Sequence, residues 1–170
     1  MTSAIVVADT SVLLNFLKIR RMDLIGSHPR RFLATDHVEN EISDDAHRAA
    51  FLTAVAEGYL DTCTVNDPRE VEFFLRLRPG VRLGAGECSA LAVAVSRRHA
   101  IAIDDNRAIS RAFRDAGLGT ARIEIVRTPD VIVTLIRAGV LTLNEADGIK
   151  DEWARDHRFR INAASFADLM

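Results

Sequence analysis

The sequence is short of the residues that mark a stapled, fibrous or membrane-embedded protein. Its two cysteines, Cys63 and Cys88, cannot build a disulfide framework, and without a C-x-x-C spacing they do not read as a metal knuckle. They fit a reducing, cytoplasmic setting. Nine Gly and four Pro exclude collagen-like and low-complexity classes. Lysine is nearly missing, with Lys18 and Lys150 against 20 Arg, and the net charge is only −2. A globally basic nucleic-acid binder is excluded, so any polyanion site must be a local patch. Aromatics make up 6% of the chain: eight Phe, Trp153 and Tyr59, with most of the Phe in apolar patterns. Sequence-specific reading of bases by stacking is not expected from so few. No uncharged apolar run approaches the ~20 residues that a bilayer span needs. The opening MTSAIVVADTSVLLNFLK lacks a positive n-region and is broken by Asp9, so it does not read as a signal peptide. The expectation is a soluble intracellular protein with no membrane partner.

What is present suits one domain over residues 1–170, long enough to bury a sizeable core. Short apolar runs at residues 4–8 (AIVVA), 31–34 (RFLA), 60–65 (LDTCTV), 101–103 (IAI) and 123–126 (IEIV) read as strands. Helical patterns separate them. Asp36 with Glu39 reads as a capping box, and Asp67-Pro68 as an N-cap followed by proline at the first helical position. Further helices are expected over residues 11–20, 47–57, 87–98, 106–116, 128–139 and 142–156. The tail FRINAASFADLM suggests an edge strand and a short helix. Alternating strands and helices predict an α/β/α sandwich with a mainly parallel sheet of roughly five strands.

The acidic residues fall where such a sheet places its sites. Asp9 follows the first strand, Asp104 and Asp105 the fourth; Glu41 lies in the helix after the second, and Glu87 opens the helix leading to the fourth. All should gather at the carboxyl edge. Carboxylates so close repel one another unless a cation sits among them, and oxygen ligands without His or Cys favour Mg²⁺ or Mn²⁺ over zinc. Structural roles compete at each position. Asp9 suits a helix cap, Glu87 suits a positive helix start, and Asp104 suits a solvated strand end. Glu39 and Glu41 point about 200° apart on a helix, so only one can face the ion; Glu41 is the choice.

The segments DTSVLLNFL, VENEI, GAGECSALAVA and IAIDDNRAISRAFRDAG, in this order, resemble the PIN-domain family of metal-dependent nucleases. The resemblance covers residues 4–140 and leaves 141–170 as a C-terminal helical extension. It implies a catalytic set of Asp9, Glu41, Glu87 and Asp105, with Asp9, Glu87, Asp104 and Asp105 as the metal-binding residues and Ser11 in support. Glu87 stands where Asp is commoner, as in toxin-like members with G-x-G-E. The implied activity is hydrolysis of RNA phosphodiesters, in many members as a toxin beside a protein antitoxin, and members commonly form homodimers. The alternative is a catalytically idle PIN-like RNA-binding or scaffold module.

A path for phosphates is visible in Arg107, Arg111 and Arg114, which share one helix face, with Arg30-Arg31 and Arg97-Arg98 as weaker candidates. Two other enzyme classes with Asp after strand one do not fit. Haloacid-type phosphatases need a second Asp where Ser11 stands, and receiver domains need a late Lys that neither Lys18 nor Lys150 supplies.

Overall fold

The computed structural model describes residues 4–78, 83–105, 110, 114 and 123–170. Among them five strands, β1 (Ile5–Ala8), β2 (Arg31–Thr35), β3 (Asp61–Cys63), β4 (Ala100–Ala102) and β5 (Ile125–Val126), form one parallel sheet in the order β3-β2-β1-β4-β5. β1 is central, with Val6 opposite Phe32 on one side and Ala100 on the other. Val6, Val7 and Ala8 are fully buried, as expected of a parallel strand covered on both faces.

The helices are α1 (Thr10–Lys18), α2 (Met22–Gly26), α3 (Asp36–Glu41), α4 (Asp45–Ala56), α5 (Pro68–Leu77), α6 (Ala85–Arg97), α7 (Thr128–Arg137) and α8 (Leu143–Asp156). Small residues let α6 approach the sheet closely: Gly86, Cys88, Ser89, Ala90, Ala92 and Ala94 are all buried. It packs along β1, β2 and β4, with α3 and α5 against it, while α1, α2 and α4 pack on one another. α8 sends Trp153 into the core, edge-on to Phe16 at 5.7 Å and to Phe159 at 5.4 Å. None of the described helices is long and apolar enough to cross a membrane.

Three expectations are corrected. Thr35, not Asp36, caps α3, its hydroxyl accepting from the Val38 N–H at 3.2 Å; the last strand residue already has the extended backbone that a cap requires. Asp36 instead accepts from the Val65 N–H at 3.4 Å, and Glu39 faces Arg48 at 3.5 Å rather than closing a capping box. The tail holds a 3-10 turn (Phe166–Leu169) but no strand, because the Asp147 carboxylate gathers the Ser165 hydroxyl and Phe166 N–H at 2.6 and 2.8 Å. α2 is an addition that the sequence did not signal. The helix expected over residues 106–116 lies outside the described residues, Ser110 and Arg114 excepted.

Candidate functional site

Residue 9 is pinned before α1 begins, since the Asp9 N–H donates to the Ala102 carbonyl at 2.9 Å and extends the β1–β4 pairing. Asp9 then caps α1: Oδ2 accepts from the Ser11 N–H at 3.2 Å and the Ser11 hydroxyl at 2.6 Å. The cap accounts for one oxygen only. Asp9 is 2% exposed, and its Oδ1 has no hydrogen-bond partner among the described residues. Burial raises its pKa above the ordinary carboxylate value, the donors of Ser11 and Thr10 oppose this, and the Glu41 charge adds to it.

Glu41 reaches the site from the last turn of α3. Its Oε2 accepts from the Thr10 hydroxyl at 2.7 Å, and its Oε1 from the Gly86 N–H at 2.7 Å. The G-x-G pair makes this possible. A Cβ on Gly86 would collide with the Glu41 carboxylate and stand 2.9 Å from Thr10 Oγ1; one on Gly84 would stand 2.9 Å from Glu41 Oε1. A second tie holds α3 to α6. The Thr35 and Ser89 hydroxyls meet at 2.6 Å, and Ser89 donates onward to the Gly86 carbonyl at 2.7 Å.

Glu87 fulfils its structural role as well: Oε2 accepts from the Gly84 N–H at 2.9 Å and so caps α6. Its pKa is raised, first by burial, with the charges of Asp9, Glu41 and Asp105 adding to the rise. The four acids therefore share one electrostatic neighbourhood. Asp104 is set apart from them. Its Oδ1 accepts from the Thr128 N–H at 2.8 Å, and its Oδ2 from the Thr128 hydroxyl at 2.9 Å and from Asn15 Nδ2 at 3.1 Å. Three donors hold it as a bracket between α1, β4 and α7, while the neighbouring Asp105 is exposed. Burial raises the Asp104 pKa against the opposing Thr128 donors.

Thr10, Thr35, Ser89, Asn15 and Thr128 were not singled out in the sequence. Their signal is a neutral polar residue at a strand end or on a buried helix face, which is weak without a partner in view. Of the arginine stripe, Arg107 and Arg111 lie outside the described residues, and Arg114 is exposed. The other arginine pairs serve elsewhere. Arg30 meets Glu124 at 2.8 Å, Arg31 meets Asp61 at 2.6 Å, and Arg97 meets Glu70 at 2.6 Å. Arg31 opens β2 and Arg30 precedes it, at the sheet edge opposite the acids.

Among the described residues no three His, Cys, Asp or Glu side chains converge closely enough to hold a metal ion as they stand. Asp9, Glu41 and Glu87 each rest instead on a neutral donor. The buried Asp9 Oδ1 is nevertheless an acceptor in need of a partner, and the oxygen-only donor set suits a hard divalent cation. In donor type, though not in spacing, the residues fit such an ion. No curated protein and no solved structure gives a match to this chain. A family model described as the PIN domain matches residues 5–169, taking in every acid above and the C-terminal helix α8. With that match running almost end to end over a parallel sheet of the expected kind, the chain belongs to the PIN-domain family, whose fold is nuclease-like.

Proposed function

We propose that this protein is a Mg²⁺- or Mn²⁺-dependent ribonuclease that hydrolyses RNA phosphodiesters. The observation that carries the reading is the buried, unsatisfied Oδ1 of Asp9 beside the like charges of Glu41, Glu87 and Asp105. Idle carboxylates in that position would be replaced at a gain in stability. Asp9, Glu87 and Asp105 would hold the cation, and Ser11 fixes the Asp9 carboxylate so that Oδ1 is the oxygen presented. When bound, the ion supplies a more acidic water and offsets charge developing on the phosphoryl oxygens. Glu41, anchored at both oxygens by Thr10 and Gly86, keeps one further lone pair on each to orient a water or accept its proton. Asp104 acts through its neighbour, setting where Asp105 leaves β4.

The test is cleavage of single-stranded RNA with Mn²⁺ or Mg²⁺, abolished by EDTA, alongside calorimetric titration of the cation into the parent and Glu87→Gln. Cation binding unaltered by Glu87→Gln, or bound cation with no cleavage, counts against the proposal. The second reading, an idle RNA-binding or scaffold module, draws on the separate hydrogen-bond anchoring of each acid; RNA binding without cleavage would favour it. The nuclease reading extends to a toxin paired with a protein antitoxin, supported by the resemblance of G-A-G-E to toxin-like members. An adjoining gene for a small DNA-binding protein is the observation that tests this. A homodimer belongs to the same reading, and light scattering that finds only an 18.8 kDa species across the micromolar range would remove it.

A further inference from the structure

Beside the acids stands a pile of flat and charged groups with no part in the chemistry above. The His37 ring stacks on Phe74, with ring centroids 4.8 Å apart and planes 24° from parallel, and the Arg78 guanidinium carbon lies 5.9 Å from the Phe74 centroid. His37 and Phe74 are half-buried and Arg78 is exposed, so the pile is reachable from solvent. Its place in the fold is set twice over. His37 is four residues before Glu41 on α3, hence one turn away on the same face, with about 6 Å between their Cβ atoms. At the other end, α5, which carries Phe74 and ends at Arg78, packs against α6, the helix that Glu87 opens.

We propose that His37, Phe74 and Arg78 seat one unpaired base of an RNA strand whose backbone lies against the acidic cluster. This rests on the reading of the protein as acting on RNA. An acidic site repels a phosphate backbone whenever no cation is present, so the strand needs an anchor that does not depend on charge. Stacking supplies one, since every base has a π-face, and a guanidinium can add a cation–π contact or meet the flanking phosphate. The scarcity of aromatics in the chain sharpens the point. Phe16, Phe32, Phe51 and Phe166 are spent in the core, whereas Phe74 is only half-buried against it and stacks on His37.

The test uses a fluorescein-labelled ten-nucleotide single-stranded RNA in EDTA, where cleavage is off, with affinity read by fluorescence anisotropy. A companion set lacks one base at a time. Removing one particular base should weaken binding to the parent about tenfold. His37→Ala should weaken binding of the intact strand by a similar factor and become indifferent to that base, and Arg78→Ala should also weaken it. His37→Phe, which keeps the flat face, should bind like the parent. The proposal is overturned if the parent fails to bind, if every single-base deletion binds like the intact strand, or if His37→Phe loses as much as His37→Ala. Failure of the two readings is separable. Base-dependent binding without Mn²⁺-driven cleavage removes the nuclease and keeps the seat; cleavage with base-independent binding does the reverse.

Discussion

Two carboxylates in this protein are equally buried and held in opposite ways. Asp9 and Glu70 are each 2% exposed. Glu70, at the start of α5, meets the Arg97 guanidinium through two contacts of 2.6 and 3.2 Å, so a full opposite charge answers it. Asp9 has only neutral donors, Ser11 foremost, and an open second oxygen. The two places lie near opposite ends of α6, since Arg97 is ten residues, about 15 Å, along that helix from Glu87. A buried charge that the chain pairs for itself is part of the framework. One that it leaves to neutral donors keeps its field for something from solution.

The widest separation of the two should come from Asp9→Asn. It keeps the shape of the cap while removing the charge, so RNA cleavage with Mn²⁺ should fall about a hundredfold or more, the scale of losing one preorganised electrostatic contact. Thermal melts in EDTA should show stability unchanged or higher. Parental cleavage, or a melt far below the parent, would make Asp9 a structural residue like Glu70. The converse substitution, Arg97→Leu, strands Glu70 in the interior. Urea unfolding should show a loss of about 2 kcal/mol, reduced from the fully buried case because Arg97 is partly exposed, with cleavage per folded molecule intact.

Gly86→Ala tests whether Glu41 belongs with Asp9. The added methyl should displace the Glu41 carboxylate from the Gly86 N–H and cut cleavage about tenfold, with folding nearly retained. Unchanged cleavage would remove Glu41 from the site.

The smallest effect concerns a second unsatisfied buried atom at the far edge of the sheet. His28 Nδ1 accepts from the Arg30 N–H at 3.1 Å, the ring lies edge-on to Phe32, and Nε2 has no partner among the described residues. Burial lowers the His28 pKa below 6.5, and the Arg30 charge lowers it further against the backbone contact. The folded state therefore binds fewer protons than the unfolded one. Its contribution is complete above pH 6.5 and is lost as the pH falls through the lowered value. Urea midpoints between pH 7.5 and 5.5 should fall for the parent and flatten in His28→Gln. An equal slope in both would discharge His28 from that role.

The elements that could be read from the sequence were those whose signals are local. Asp67-Pro68 and Thr142 with Glu145 start α5 and α8 as their residue types require. α2 was illegible because it is five residues long and its N-cap, Arg21, makes no side-chain capping bond. Thr35 and Asp36 are both good caps, and only the strand's last extended residue decides between them. The four acids draw attention in the sequence because carboxylates near the ends of apolar strands stand out, and Ser11 comes with Asp9. The other groups that hold these side chains do not. Thr10 meets Glu41 across 31 positions, Thr35 meets Ser89 across 54, and Asn15 meets Thr128 across 113, and a neutral hydroxyl or amide carries no mark of so distant a partner.

The indole N–H of Trp153 donates to the Asn15 carbonyl at 2.7 Å, and the Asn15 amide in turn holds Asp104 beside Asp105. A chain is made from its amino end, so α1 and β4 leave the ribosome well before the helix that carries Trp153. The support beside Asp105 is complete only once α8 has been added.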